Sequence, residues 1–359
     1  MEDKGTLLMN NINEEEFVND NRYDLWHDDG SDPLMKMYIG CHYPATVCNL
    51  HCPYCYVNQV GGDHKTLKLG HSPEFIRWCL SQKRIGGRAL IGLCGAGETM
   101  LGDQIIEVAL ELLREGHFLH IVTNGTIGEK MCELTERAEN MANRIFFKCS
   151  LHYTELKRKN MLLIYSNNIN KVSDMGASYT IEMTADDSYI ELIDEIKKYT
   201  STEFGALPHI TIARDDTKAD IPILTKLPLD EYYDIWKDFE SELFEVKWKY
   251  YAKHIINCDA GVSSLYINLI NGDIMKCLRQ TVVGNLYDIS MKRIKYDRVG
   301  NHCGLPYCYN NHAYLTLGVC RDIKTYSFAE VRDRKKTDGS HWVKGEVYSF
   351  MGQRLYENI

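Results

Sequence analysis

From residue 34 to residue 213 short apolar runs alternate with longer amphipathic segments, and this alternation constrains the fold more than any other feature of the 359-residue chain. Repeated strand–helix pairs build a parallel sheet, because parallel neighbours need a crossover long enough to hold a helix. The runs read as strands are LMKMYIG (34–40), RALIGLC (88–94), FLHIVTNG (118–125), RIFFKCSLH (144–152), ASYTIEMT (177–184) and LPHITIA (207–213). Helices are predicted between them over 72–82, 103–116, up to about 138, 154–174 and 187–199. Ser72 and Pro73 open the first of these and Gly116 closes the second. Six such units fall short of a closed eight-fold barrel, so the expected fold is α/β, a partial (β/α)6 barrel.

The pattern loosens around 214–230, where charged and proline-containing sequence suggests a boundary, and a helix is predicted over about 230–243. SLYINLINGDIMKC (264–277) then reads as two strands reversed at Asn271-Gly272. The expected organisation is an acidic N-terminal extension (1–33), a core (34–225), a small Cys-rich domain (226–325) and a polar tail (326–359). Within that tail RDRKK, from Arg332 to Lys336, reads as a solvated surface stretch. The net charge of −9 is spread along the chain and offers no footprint for nucleic acid. No apolar run approaches the roughly eighteen residues of a membrane span and the acidic first thirty residues lack a signal core, so a cytoplasmic location is expected.

Thirteen cysteines in such a setting point to metal rather than to disulfides. The segment CNLHCPYCY places Cys48, Cys52 and Cys55 in one loop directly after the first predicted strand. Three thiolates suit a [4Fe–4S] cluster with one iron left open, whereas a structural zinc ion takes four ligands and would need His42 or His51 as well.

This loop, at this place in a six-unit barrel, resembles the defining motif of the radical S-adenosylmethionine (SAM) superfamily. The resemblance implies that the open iron binds SAM and that a reduced cluster breaks its sulfonium bond, producing a 5′-deoxyadenosyl radical that removes hydrogen from a substrate. Cys94-Gly-Ala-Gly-Glu98 resembles the motif that receives the methionyl amino group, with Gly95, Gly97 and Glu98 as matching positions and Ala96 in place of its first glycine. Thr123 and Asn124 resemble the polar strand end that reaches the ribose and methionine, although TNG is also a plain turn. Ser150 and His152 end the fourth strand where that family contacts its cofactor, and a structural histidine reads equally well. Arg214 could pair with a carboxylate of cofactor or substrate, or with Asp215 or Asp216 beside it; Tyr54 could back the adenine.

Cys258, Cys277, Cys303, Cys308 and Cys320 form a second group, whose first half resembles the SPASM and twitch extensions of the same superfamily. One auxiliary [4Fe–4S] cluster is the economical count, held by Cys258 and Cys277 with Cys303 and Cys308, Cys320 being nearly as good; a four-cysteine zinc site is the alternative. Cys94 and Cys149 lie near strand ends and are candidate hydrogen donors to a substrate radical, although either could be a buried apolar residue. The expected activity is hydrogen abstraction from a small polar, sugar-like substrate, with an electron donor such as flavodoxin or ferredoxin. The alternatives are maturation of a ribosomal peptide by epimerisation or crosslinking, and a non-catalytic zinc-binding scaffold.

Overall fold

The structure is a computed structural model that describes residues 14–15, 33–61, 67–254, 256–278, 280–290, 294 and 297–358. The acidic extension expected over 1–33 lies outside the described residues except for Glu14, Glu15 and Pro33.

The strands are β1 Met37–Tyr43, β2 Ala89–Gly95, β3 Phe118–Thr123, β4 Ile145–Ser150, β5 Ser178–Ala185, β6 His209–Ile212, β7 Ser264–Asn268, β8 Asp273–Met275 and β9 Val282–Asn285. They form one sheet in the order β6-β5-β4-β3-β2-β1-β7-β8-β9. From β6 to β1 every neighbour is sequential and parallel, as repeated βα units require. The helices are α1 Tyr56–Gln59, α2 Pro73–Cys79, α3 Gln82–Ile85, α4 Ile105–Arg114, α5 Gly128–Ala138, α6 Tyr153–Arg158, α7 Leu162–Asp174, α8 Ile193–Phe204, α9 Leu229–Trp236, α10 Glu242–Lys249, α11 Asn311–Tyr314 and α12 Gly345–Gly352. Among the described residues no helix is long and apolar enough to cross a membrane.

Two predicted helices are each interrupted. The stretch 154–174 breaks into α6 and α7 at Asn160, which takes φ 56°, and the helix expected over 230–243 breaks between α9 and α10 at Glu240, with φ 50°. A left-handed residue cannot continue a right-handed helix. The Asn271-Gly272 turn forms as expected, with Gly272 at φ 78°. Its first strand does not found a separate sheet: β7 pairs in parallel with β1, Tyr38 opposite Ser264 and His42 opposite Asn268.

Strand alternation sorts side chains to two faces. Outward residues such as Ile39, Ile91, Ile121, Phe147 and Ile181 join the main core beneath the helices. Inward residues Leu90, Phe118 and Phe146 form a second core with Phe328, Val343, Phe350 and Leu355. The segment read as a polar tail is therefore a plug packed into the barrel. Phe350 stacks on Phe118 with centroids 3.9 Å apart, and both are fully buried. Arg332, read as a solvated residue, is 0% exposed. It reaches Glu182 of β5 at 3.5 Å and lies 3.6 Å over the Phe328 ring. A buried guanidinium is tolerated where a carboxylate and an aromatic face replace water.

Replacing Phe350 with alanine should lower unfolding stability by about 3–5 kcal/mol, the usual cost of removing a buried aromatic ring. Denaturant unfolding of the full chain checks this; a loss within the range of a surface substitution would contradict the plug.

Candidate functional site

The cysteine loop leaves β1 at Tyr43 and is held against the chain leaving β2. Gly97 N donates to Ala45 O at 2.6 Å and Glu98 N to Val47 O at 2.9 Å. Side chains are excluded at this contact: a Cβ on Gly97 would lie 2.2 Å from Val47 O, and one on Gly95 would lie 2.6 Å from Ala45 O. Both glycines of Gly95-Ala-Gly97 are thus required for the close approach of two backbones. Thr99 Oγ1 accepts from Gly95 N at 3.0 Å and steadies the strand end.

Glu98 is 2% exposed. Its Oε1 accepts from Thr123 Oγ1 at 2.6 Å and from Met100 N at 2.9 Å, and its Oε2 accepts from Asn124 N at 2.6 Å. Burial nonetheless holds its acidity constant above the usual carboxylate range, outweighing these donors. Among the described residues no cation lies within ion-pair distance of it. Asn124 carries the link onward: Nδ2 donates to Asn49 Oδ1 at 2.8 Å and approaches Cys48 Sγ at 3.8 Å, while Oδ1 accepts from Thr126 N and Oγ1 at 3.0 and 2.6 Å. Asn49 Nδ2 closes the ring on Thr126 Oγ1 at 2.8 Å.

The other side of the loop is tied to β4 and α6. His51 N donates to Glu155 Oε1 at 3.1 Å, and Lys159 Nζ donates to Asn49 O at 2.8 Å. The Arg158 guanidinium, forked on Glu155, holds that carboxyl down at about 2. Tyr54 Oη shares hydrogen bonds with His152 Nδ1 at 2.7 Å and Tyr189 Oη at 2.8 Å. Burial pushes His152 down to about 4, so its ring is neutral at pH 7. Asn49, Thr126, Glu155 and Tyr189 are members of this site that the sequence reading missed. Asn49 and Thr126 sit inside or beside the motifs already singled out, whereas Tyr189 carries no local signal.

The structure brings Arg214 to the same loop. Its guanidinium lies 5.2 Å over the Tyr56 ring and contacts Asp216 at 3.2 Å, and Gln59 of α1 binds both Arg214 O and Asp216 N. Ser150 ends β4 opposite Glu182 in register. Cys94 and Cys149 part company. Both lie within electrostatic reach of Glu98, but Cys149 alternates with Lys148 to the other face and is buried in the main core beside Phe147 and Tyr165. That placement gives Cys149 the apolar role and removes it from the barrel interior.

Cys48, Cys52 and Cys55 lie close enough to influence one another. Burial, with a smaller contribution from neighbouring sulfurs, raises the thiols of Cys48 and Cys52, the latter to about 12. Among the described residues no three His, Cys, Asp or Glu side chains converge as a single-ion site would require. A zinc ion draws its thiolates to about 2.3 Å from one point. Three neighbouring thiols in one loop, with the Asn124 amide beside Cys48, are a donor set that fits a [4Fe–4S] cluster with one iron left open.

In the second group Cys258 is held by paired backbone bonds to Gly300 at 3.2 and 2.9 Å. A cavity of about 50 Å³ is lined by Cys258, Cys303, Cys308 and Cys320 together with Tyr250 and Tyr307. Cys277 does not line it, although its sulfur interacts electrostatically with Cys258 and Cys303 and lies 3.7 Å from Asn310 Nδ2. Cys320 contacts Cys258 and holds that thiol below its ordinary value.

Neither a family model nor a curated protein sequence matches the chain. Solved structures do. SuiB of Streptococcus suis bound to S-adenosylmethionine matches with a TM-score of 0.50 and 17% identity, over 73% of this chain and 66% of that one. SuiB bound to its precursor peptide SuiA matches with 0.51 and 16% identity, over 73% and 65%. The chain spans just under two thirds of the length of SuiB, and the likeness is one of fold. The α/β partial barrel expected from the sequence is the fold this chain shares with these structures.

Gly97→Ala should detach the cysteine loop from β2, so that anaerobic reconstitution delivers roughly half the wild-type iron or less. Gly70→Ala, where a Cβ meets nothing within 4 Å, should leave iron content unchanged. Equal iron in both variants would contradict the role of the close approach at Gly97.

Proposed function

We propose that this chain is a radical SAM enzyme that holds a [4Fe–4S] cluster through Cys48, Cys52 and Cys55 and abstracts hydrogen from a small polar substrate. The observation that carries the reading is Glu98: a buried carboxylate with three donors, no cationic partner among the described residues, and a hydrogen-bonded path through Asn124 to Cys48. A buried carboxylate without a counter-ion is costly, and the ammonium group of SAM would supply one. When bound, the cluster supplies the electron that cleaves the sulfonium bond. The chain's own residues orient and shield. Glu98 receives the amino group, Asn124 and Thr123 fix the strand end beside Cys48, and Tyr54 with His152 and Tyr189 forms a neutral, buried wall behind the loop. Cys94 is the remaining candidate hydrogen donor on the barrel interior.

The second cysteine group is read as an auxiliary [4Fe–4S] site. The cavity supports Cys258, Cys303, Cys308 and Cys320 as ligands, and Cys277, beside Cys258, Cys303 and Cys308, stays a candidate with them. A soluble one-electron donor such as flavodoxin or ferredoxin and a cytoplasmic location complete the proposal. A peptide substrate is the second reading, favoured by the likeness in fold to SuiB, which has been crystallised with its precursor peptide.

The test is anaerobic reconstitution with iron and sulfide, then dithionite and SAM. The reading requires 5′-deoxyadenosine from the wild-type chain, none from Cys48→Ala, Cys52→Ala or Cys55→Ala, and about eight iron atoms per chain. Absence of 5′-deoxyadenosine, with bound zinc as the only consequence of the three cysteines, would overturn it; about four iron atoms would remove the auxiliary cluster.

A further inference from the structure

Two cations share one buried carboxylate inside the barrel, and a third lies within electrostatic reach of it. Lys148 of β4 pairs with Glu182 Oε2 at 2.8 Å, and Arg332 approaches Glu182 Oε1 at 3.5 Å. The third cation, Lys247 of α10, has no ion-pair partner among the described residues, yet it lies within electrostatic reach of Lys148, Glu182, Arg332 and Arg214. Arg214 is already matched by Asp216. With Lys247 protonated, the three cations exceed Glu182 by two positive charges.

The polar atoms around this surplus are also unsatisfied. Among the described residues Arg332 Nη2 and Nε, His312 Nδ1 and both ring nitrogens of His120 are buried without a hydrogen-bond partner. Arg332 is 0% exposed and His120 is 5% exposed. Burial and the neighbouring cations hold both histidines well below their ordinary value, so they add no charge and each offers one ring N–H as a donor. Gly92 leaves the space beside His120 free of a side chain: a Cβ there would come within 3.2 Å of Tyr38 Oη and 3.6 Å of His120 Nδ1. Buried donors and unpaired cations cost free energy unless something accepts from them. Burial and the neighbouring Arg214 and Lys148 press Lys247 down to about 7, the response of an ammonium lacking a counter-ion.

We propose that the barrel interior binds an anionic group, a carboxylate or a phosphate, of the small-molecule substrate through Lys148, Lys247 and Arg332. Assigning the anion to a substrate rests on the enzyme reading above. The four charged groups come from β4, β5, α10 and the C-terminal plug, so the site exists only when the plug is seated. Glu182 is already shared by Lys148 and Arg332, which leaves Lys247 as the cation an incoming anion would satisfy most. The cofactor's own carboxylate is the competing source of the same chemistry, and the experiment separates the two.

Binding is measured by calorimetry and thermal melting of the reconstituted full chain without reductant, so no turnover is involved. Sodium phosphate and sodium succinate are the probes, each against sodium chloride at equal ionic strength. At least one probe should bind with one-to-one stoichiometry and raise the melting temperature. Lys247→Met should weaken that binding about tenfold or more, as expected for loss of a charge-assisted contact, whereas Lys247→Arg should hold it within about threefold. SAM binding to Lys247→Met should stay within about twofold of wild type. If Lys247→Met does not fold, Lys148→Met is read by the same criteria. Protection no greater than chloride gives, equal probe affinity in wild type and Lys247→Met, or a parallel loss of SAM binding overturns the proposal. A chain that binds the anion but forms no 5′-deoxyadenosine would instead sink the enzyme reading alone.

Discussion

Two backbone hydrogen bonds, Gly97 N to Ala45 O and Glu98 N to Val47 O, join the cysteine loop to the end of β2, and the rest of the site is arranged around that contact. Because no Cβ fits at Gly97, the loop lies against backbone rather than against a side chain that could change rotamer. The same contact fixes Glu98, whose carboxylate organises the end of β3 through Thr123 and Asn124, and Asn124 in turn meets Cys48. Cysteine loop, acid and polar strand end thus form one hydrogen-bonded unit drawn from three consecutive strands. A parallel sheet with sequential neighbours places those three strand ends side by side without any long-range pairing.

Unbalanced charge is the second theme. Glu98 is a buried carboxylate with no cation at ion-pair distance among the described residues, and elsewhere in the fold Lys148 and Arg332 share the one carboxylate of Glu182, with Lys247 in electrostatic reach. A fold optimised for stability alone would pair or remove such groups, since breaking or omitting one partner of a buried pair is strongly unfavourable. Opposite imbalances at two places fit a site that takes a positively charged group at one and a negatively charged group at the other. The C-terminal plug contributes Arg332 directly, so the packing of Phe350 and Phe328 into the barrel is coupled to the charge of its interior.

Much of this was legible in the sequence because it is local. The six strands follow from apolar runs, the place of the cysteine loop directly after β1 from the run that precedes it, and the Asn271-Gly272 turn from its dipeptide. What failed was non-local. RDRKK reads as a solvated stretch, since nothing within it reveals that Arg332 meets Glu182 of β5 and the Phe328 ring inside a barrel. The breaks at Asn160 and Glu240 are left-handed residues of ordinary type, which propensity does not mark. Cys149 is different: alternation along IFFKCS already puts it on the face opposite Lys148 and Ser150, so its place in the outer core could have been read from period two. Tyr189, which reaches Tyr54 from beyond β5, had no such signal.

The central claim is that the three-cysteine loop leaves one iron open to a cofactor positioned by Glu98. The most direct measurement is electron paramagnetic resonance of the dithionite-reduced chain carrying Cys258→Ala, Cys303→Ala and Cys308→Ala, recorded with and without SAM. The account requires a reduced cluster whose g values shift when SAM is added, and a shift that is lost in the further variant Glu98→Ala. A spectrum that SAM leaves unchanged would contradict it.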